Sequence, residues 1–412
     1  MQAENTKTNI KTLTFGCRLN SLESEKIADM LSPCMSGAIV VNTCAVTAEA
    51  ERQSGQAVRK IARENPNMPI FVTGCAATRN PQLFNEIPNT VTIPNAVKMQ
   101  LQSYLDALSA HPCNINVARP FSFDRPAPNM SKQFIQVQNG CNHKCAYCVT
   151  RLLRGPAVSF EYDTILRDAH AAIRAGFGEI VLTGVDIASY ARDGALISDI
   201  CHKLLNDVPG IRRLRLSSMD PASPQIFKIM DMIAADARMM PHMHLSMQSG
   251  SDTILKSMGR RHNADLVRRI AEYGVARGIT FSWDIICGFP GETDELWLET
   301  MDLVRATRPI RIHAFPFSPR PGTPAADMPD QVNRAISKAR VHEINELATK
   351  NRDEFMRAQI GKTVQVLVES NNNAREIHDM PVKIIGEHVP ERTICNAVLT
   401  DISGDEFIGE IK

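Results

Sequence analysis

Three thiols fall within eight residues in Gly140-Cys141-Asn142-His143-Lys144-Cys145-Ala146-Tyr147-Cys148, spaced CxxxCxxC. The preceding run, Phe134–Gln138, reads as a strand, so the thiols occupy the loop at its carboxyl end. Such a loop can wrap until all three sulfurs face one point, as an iron–sulfur cluster demands. Four thiolates saturate a [4Fe–4S] cluster, whereas three leave one iron open to an outside ligand. The competing readings are a zinc knuckle or buried free thiols. Zinc prefers four protein ligands in a closed site, and His143 is the one nearby fourth candidate.

A second set is spread along the first quarter of the chain. Cys17, Cys44 and Cys75 each close an apolar run, in Thr14-Phe15-Gly16-Cys17, Val41-Asn42-Thr43-Cys44 and Val72-Thr73-Gly74-Cys75. Their separations of 27 and 31 residues match one βα repeat each. Strands of a parallel sheet share a carboxyl edge, where ligands bind, so these thiols are expected to converge. The bland alternative is three buried cysteines. Cys34, Cys113, Cys201, Cys287 and Cys395 show no ligand spacing and read as packing residues.

Further along, the strand ends are small and polar: Leu182-Thr183-Gly184-Val185-Asp186, Ser217-Ser218, Gln248-Ser249-Gly250-Ser251 and Gly288-Phe289-Pro290-Gly291-Glu292. Glycine permits close backbone approach to a ligand, although Gly and Ser also simply make turns. Four such ends on one rim favour a nucleotide-like cofactor. The candidate contacts are Thr183, Gly184, Asp186, Ser217, Gln248, Ser249, Gly288 and Phe289. The stiff segment Phe315–Thr323 adds Arg320, a group suited to phosphate or carboxylate. Its alternative is a Pro-rich closing loop.

These residues need a scaffold that places strand ends together. From Asn9 to about Leu108, apolar runs at Leu13–Phe15, Ala38–Val41 and Pro69–Val72 alternate with helical stretches such as Ser21–Leu31 and Thr47–Asn65, as βαβ units require. His111–Ser131, with four prolines, reads as a linker or crossing strand. From Gln133 to about Arg357 the alternation resumes. The strands expected are Phe134–Gln138, Glu179–Thr183, Arg213–Ser217, His242–Met247, Thr280–Cys287 and Arg311–Phe317. Six consecutive βα units favour a parallel, barrel-like sheet with its active-site loops at the carboxyl ends. A long helix, Gln331–Ala358, closes the segment. The tail, Gly361–Lys412, carries short β-type runs at Thr363–Val368, Val382–Ile385, Cys395–Leu399 and Phe407–Ile411, and reads as a small all-β barrel or sandwich.

With 412 residues, 43% hydrophobic and 22% charged, the chain is ordinary globular material. It has no 18-residue apolar run to span a bilayer. Its polar start, Met1–Lys11, lacks a signal peptide's apolar stretch, so a cytoplasmic location is expected. Eleven cysteines, an odd number, point to metal or redox chemistry rather than a disulfide framework. Net charge is +1, which does not announce a nucleic-acid binder. The tail is acidic, with five Lys and Arg against nine Asp and Glu.

The CxxxCxxC loop after the first strand of a βα barrel resembles the radical S-adenosylmethionine enzymes. The full order of motifs resembles their methylthiotransferase branch: Cys17, Asn42-Thr43-Cys44, Gly74-Cys75, the Cys141 loop, Gln248-Ser249-Gly250-Ser251, Gly288-Phe289-Pro290-Gly291-Glu292 and Arg320-Pro321-Gly322-Thr323. The resemblance covers essentially the whole chain and implies three domains. These are an N-terminal parallel βα domain (1–115), a partial (βα)6 TIM-like radical SAM barrel (127–358) and a small C-terminal β-barrel of the TRAM kind (359–412). Val46–Ala50, Leu182–Val185 and Leu216–Ser218 most resemble the enzymes that act on threonylcarbamoyladenosine in tRNA.

Such enzymes place a methylthio group on C2 of the modified adenine just 3′ of the anticodon, position 37. The resemblance implies that Cys141, Cys145 and Cys148 hold a cluster whose open iron chelates S-adenosylmethionine, which is then cleaved to a 5′-deoxyadenosyl radical. It implies that Cys17, Cys44 and Cys75 hold an auxiliary cluster presenting sulfur, with a second S-adenosylmethionine as methyl source. Ordinary base chemistry cannot activate so weakly acidic a C2–H bond, which fits a cofactor-borne step. Expected partners are the tRNA anticodon loop and a reductant such as flavodoxin or ferredoxin; a monomer without membrane association is expected.

Two features depart from the branch. Thr150-Arg151 and Pro156–Ser159 replace its usual Ile-Pro and Arg-Ser, and the tail expected to bind tRNA is acidic. tRNA contact is therefore expected to rest substantially on barrel arginines such as Arg260 and Arg261. The sister activities, on isopentenyladenosine in tRNA or on a ribosomal-protein aspartate, share every cysteine. Outside enzymes, the alternatives are an iron–sulfur electron carrier and a zinc-containing RNA-binding module.

Overall fold

The computed structural model describes residues 10–35, 37–110 and 131–412. Cys113 and all but the last residue of the Pro-bearing linker lie outside the described residues. The chain divides into two compact units: Met1–Ala127 with Gly140–His143 and Cys148–Pro156, and Pro128–Asn139 with Lys144–Tyr147 and Ala157–Lys412.

In the first unit, β1 (Ile10–Thr14), β2 (Ala38–Thr43), β3 (Ile70–Gly74) and β4 (Thr90–Ile93) form a parallel sheet in that spatial order. β2 and β3 are buried along their whole length, as near-continuous apolar runs require when helices cover both faces. Ile39, Val41, Ile70 and Val72 pack with Val58 and Ala62 of α2 (Ala48–Glu64). Val40 and Phe71, one residue out of phase, pack with Ile27 and Leu31 of α1 (Arg18–Leu31) and Tyr104 of α3 (Leu101–Ala110). The Thr47 hydroxyl accepts the Ala50 N–H at 3.1 Å, and Glu49 and Glu51 in the first turn suit the helix dipole, so α2 begins at Ala48. β1 starts earlier than its apolar run because Ile10, Lys11 and Thr12 pair in register with Ala38, Ile39 and Val40. The short helix α4 (Thr150–Arg154) belongs to this unit and buries Leu153 against the α2 face.

The second unit holds six parallel strands in two three-stranded sheets. One comprises β5 (Gln133–Gln136), β6 (Glu179–Thr183) and β7 (Arg213–Leu216), ordered β7-β6-β5. The other comprises β8 (His242–Gln248), β9 (Thr280–Cys287) and β10 (Arg311–Pro316). Parallel bridges Leu214–Met239 and Met219–Leu245 join the two. The expected (βα)6 half-barrel is therefore present. α5 (Tyr162–Arg174), α6 (Ile197–Asp207), α7 (Ile226–Ala235), α8 (Ala264–Val275), α9 (Asp294–Thr307) and α10 (Arg334–Arg357) line its outside. Ile165, Leu204, Ile229, Val267 and Leu303 on these helices share one core with Ile180, Leu214, Leu245, Trp283 and Ile312 of the strands.

The other face of β8 and β9 is polar, an inversion of the usual apolar barrel interior. His242, His244, Ser246 and Gln248 alternate with buried Met243, Leu245 and Met247. Thr280, Ser282 and Asp284 likewise alternate with Phe281, Trp283 and Ile285. At the amino end this face is closed by the tail, a closed barrel ordered β11-β12-β13-β15-β14 from Thr363–Ser370, Asn373–Glu376, Pro381–Ile385, Ile394–Ser403 and Glu406–Ile411 in chain order. The strand Asn373–Glu376 carries no apolar run, so periodicity misses it; only its pairing with the strands on either side defines it.

The closure is a buried ion network. Glu179 accepts from Arg213 at 3.2 Å and Arg215 at 3.0 Å. Arg213 also donates to the Gln365 carbonyl at 2.6 Å, and Lys132 reaches Asp379 at 3.0 Å. Burial alone would raise the Glu179 carboxyl, but Arg215, Lys132 and Arg213 together hold it below its ordinary value. Glu179→Ala strands two buried guanidinium groups and is expected to cost about 3–5 kcal/mol. Urea denaturation checks this; a loss below about 1 kcal/mol, the worth of a surface pair, would refute it.

Candidate metal centres

Cys17 follows β1 directly before α1, Cys44 follows β2, and Cys75 follows β3, so the parallel sheet brings the three to its carboxyl edge. A Cβ on Gly16 would come within 2.8 Å of the Cys44 sulfur, and Gly16 has φ +92°, so only glycine fits beside it. Burial pushes the Cys44 thiol up, and nearby Cys75 and Cys17 push the same way. A buried thiol with two others beside it suits a soft cation that draws off its proton. Asn20 and Asn95 stand at the rim, Asn95 donating to the Cys75 sulfur at 3.8 Å and Cys17 donating to the Asn20 oxygen at 3.8 Å. The residues present thus fit a cluster.

Beneath them lies a triad that the sequence reading missed. Glu23 on α1 takes Lys98 at 2.6 Å and Arg154 at 2.8 Å, all three side chains 2–3% exposed. Burial works to raise the Glu23 carboxyl, but Lys98 and Arg154 outweigh it and hold it below the ordinary range. The Arg154 guanidinium also feels Cys75 and Cys17 electrostatically. It is a cation placed for an anionic sulfur site, supplied by the short helix after the Cys141 loop. No spacing announces it, since Glu23, Lys98 and Arg154 meet only in the fold.

The Cys141 loop is pinned at its roots. A Cβ on Gly140 would lie 1.9 Å from the Pro156 carbonyl oxygen, and the Cys141 N–H donates to the Gly155 carbonyl at 3.1 Å. The His143 N–H donates to the Cys141 sulfur at 3.4 Å. In the second unit, Ala146 exchanges backbone hydrogen bonds with Met258 and Ala325, and Phe289 packs beneath Ala146 and Tyr147. Arg260 donates to the Cys145 sulfur at 3.5 Å and to the Ser246 carbonyl at 2.8 Å. Its side chain is 6% exposed and paired with Asp220, so Arg260 braces the loop and is not a surface for RNA. Arg261, 51% exposed, keeps that possibility.

The cofactor candidates all lie at the carboxyl ends of the half-barrel strands, in differing circumstances. Gly184 sits where a Cβ would meet the Gln138 carbonyl at 2.7 Å, and the Asp186 N–H is held by Gln138 at 2.8 Å. Thr183 is buried at the end of β6, and the Ser217 N–H is tied to the Leu182 carbonyl at 2.9 Å. Gln248 is nearly buried with φ +72°, a strained conformation for a residue with a side chain. Ser249 is fully buried with its hydroxyl 3.2 Å from Thr300. Gly288 leaves no room for a Cβ beside Ser337. Ser249, Gly288 and Phe289 therefore shape the rim through packing.

A parallel half-barrel whose first strand leads into a three-thiol loop defines the class. Accordingly residues 135–304 match the family model of the radical SAM superfamily, and residues 9–94 match the uncharacterized protein family UPF0004. The chain is 37% identical to the threonylcarbamoyladenosine tRNA methylthiotransferase MtaB of Rickettsia prowazekii over 90% of each chain, and 29% identical to that of Bacillus subtilis over 89% of this chain and 86% of that one. It is also 29% identical to the tRNA-2-methylthio-N(6)-dimethylallyladenosine synthase of Pelotomaculum thermopropionicum over 96% of each. Among solved structures, the radical S-adenosylmethionine methyltransferase TsrM from Kitasatospora setae shares the fold at TM-score 0.54 and 16% identity, over 75% of this chain and 68% of that one. The chain belongs to the radical SAM methylthiotransferase family. No helix among the described residues is long and apolar enough to cross a membrane.

Proposed function

We propose that this protein transfers a methylthio group to C2 of N6-threonylcarbamoyladenosine at tRNA position 37, through two [4Fe–4S] clusters and S-adenosylmethionine. The observation that carries the reading is the meeting of Cys17, Cys44 and Cys75 at one sheet edge, beside a CxxxCxxC loop that follows the first half-barrel strand. The proposed ligands are Cys141, Cys145 and Cys148 for one cluster and Cys17, Cys44 and Cys75 for the other. Each triad leaves one iron coordination position for a partner from outside. When bound, such a cluster supplies the electron that splits S-adenosylmethionine and yields a radical able to attack the C2–H bond.

The chain's own residues prepare that chemistry. Gly140 and Gly155 fix the loop's roots, Arg260 places a positive charge on Cys145, and Phe289 supports Tyr147 from below. Gly184, Asp186 and Gln248 form the polar rim on which the nucleoside part of the cofactor is proposed to rest. Arg154 and Lys98 offset the negative charge of the Cys17, Cys44 and Cys75 site. The three-part division at 1–115, 127–358 and 359–412 is proposed to separate sulfur supply, radical generation and tRNA docking. A small reducing protein such as flavodoxin or ferredoxin is proposed as donor, and a monomer as the working form.

The test compares tRNA nucleosides by mass spectrometry from cells with and without the gene. Methylthio-threonylcarbamoyladenosine is expected to vanish while its unthiolated precursor accumulates. Loss of the isopentenyl counterpart instead would move the substrate to the sister activity, and an unchanged profile would overturn both.

A further inference from the structure

The polar face of β8–β10 carries a group of side chains that the cluster chemistry does not use. The His378 Nδ1–H donates to the Pro241 carbonyl at 2.9 Å and lies 3.1 Å from the Thr280 hydroxyl. From Thr280 the contacts run on without a gap: 2.8 Å to His242 Nδ1, 3.0 Å from His242 Nε2 to the Ser282 hydroxyl, and 2.7 Å to His244 Nδ1. The last link is His244 Nε2 to Asp284 Oδ2 at 3.0 Å. The Thr280 hydroxyl has a second acceptor in the Pro241 carbonyl at 3.4 Å, but its contact to His242 at 2.8 Å is the shorter, and with that choice the chain runs one way. The carbonyl fixes the proton on His378 Nδ1, Thr280 then donates to His242, His242 to Ser282, Ser282 to His244, and His244 to Asp284. Burial holds His242 well below its ordinary value, so it is neutral and has a single N–H to give. The chain thus orients the Asp284 carboxyl through His244.

Asp284 is not sealed. Its side chain is 26% exposed and that of His244 22%, whereas the residues alternating with them are fully buried. Asp284 pairs in register with His313 of β10, and the exposed His313 ring stands edge-on to His244 at 5.2 Å. Burial, then His244, lowers His313, so its neutral ring offers one N–H donor and one acceptor. Asp284 and His313 each sit three residues before the last residue of their strand, about 10 Å below the rim. A base held at the rim would send a substituent down to this level.

We infer that Asp284 and His313 form the pocket that reads the N6 substituent of the substrate adenine, selecting a polar acyl group that has both donors and a carboxylate or hydroxyl. This rests on the proposed function and names the specificity element within it. Asp284 accepts N–H or O–H groups of the substituent, and His313 donates to its oxygen. His244 is a positioning residue that aims Asp284. An isoprenoid substituent offers neither partner and would dehydrate His313 and the Asp284 oxygen that His244 does not hold, the situation in which hydrogen-bonding sites reject analogues most strongly, by up to roughly 10⁴-fold.

The experiment measures binding of anticodon stem-loop RNA carrying threonylcarbamoyladenosine or isopentenyladenosine to the cluster-loaded protein without reductant, so that no turnover occurs. It then measures kcat/KM on both RNAs with reductant. The wild type is expected to prefer the threonylcarbamoyl RNA by at least about 100-fold in kcat/KM. Asp284→Asn, nearly isosteric, and His313→Phe are each expected to reduce the preference at least about tenfold in binding and in kcat/KM, with His313→Gln restoring part of it. A preference left intact in both variants while the wild type converts the threonylcarbamoyl RNA would overturn this assignment alone. A wild type that converts only the isopentenyl RNA would overturn the substrate reading, and this assignment with it.

Discussion

Alanine at Cys141, Cys145 or Cys148 is expected to abolish formation of 5′-deoxyadenosine from S-adenosylmethionine, whereas alanine at Cys17, Cys44 or Cys75 is expected to abolish only the methylthio product. Cys17, Cys44 and Cys75 each follow a strand of the four-stranded sheet, whereas Cys141, Cys145 and Cys148 lie in the loop after the first half-barrel strand, so loss of one set is expected to leave the other set's reaction in place. Each single replacement leaves two thiolates where a cluster needs three and should reduce bound iron by about half. Iron, acid-labile sulfide and 5′-deoxyadenosine, measured on the reconstituted variants, check this. If both sets lost 5′-deoxyadenosine together, the proposed division of labour would fall. Zinc without sulfide in the purified wild type would return the protein to the RNA-binding alternative.

Much of this division is legible in the amino-acid sequence because it depends on local facts. CxxxCxxC declares itself within eight residues, and three strand-ending cysteines one βα unit apart declare a shared edge once the strands are read as parallel. Glu179–Thr183 and Thr280–Cys287 are found at their true limits, since their apolar runs end at glycine. What the sequence conceals is polar matter inside the fold. Arg213 and Arg215 fall in an expected strand with nothing to show their partners, yet both are buried against the tail. Arg260 reads as one half of a basic pair, whereas the fold turns it inward to Cys145. His242, His244, Ser282 and Asp284 are scattered over two strands, and only parallel register makes them a chain. The tail's acidity has a partial reason of the same kind, because Asp379 and Glu376 neutralise barrel cations. Long-range pairing leaves no trace in local periodicity.

Arg154→Met should show how closely stability and the sulfur site are linked. Methionine keeps much of the volume but removes one of two cations from Glu23, a change expected to cost about 3 kcal/mol at neutral pH. The sign of its pH dependence follows from the depressed Glu23 carboxyl. In the wild type the ionised carboxylate contributes fully above its unfolded value of about 4.3, and that contribution is lost as pH falls through the lower folded value. With Arg154 gone, burial regains weight against Lys98 alone, the folded value rises, and the acid limb of the stability curve moves to higher pH. The gap between wild type and variant should therefore be widest near neutrality and should close only as pH falls through the depressed wild-type value, where Glu23 becomes protonated in both. Urea titrations across this range measure it. The same variant should surrender iron from the Cys17, Cys44 and Cys75 site to a chelator about tenfold faster or more, because an outer partner of metal ligands is missing. A variant with unchanged iron loss but the full stability penalty would confine Arg154 to a structural role. The combined result would make the triad the support on which the sulfur-supplying edge is built.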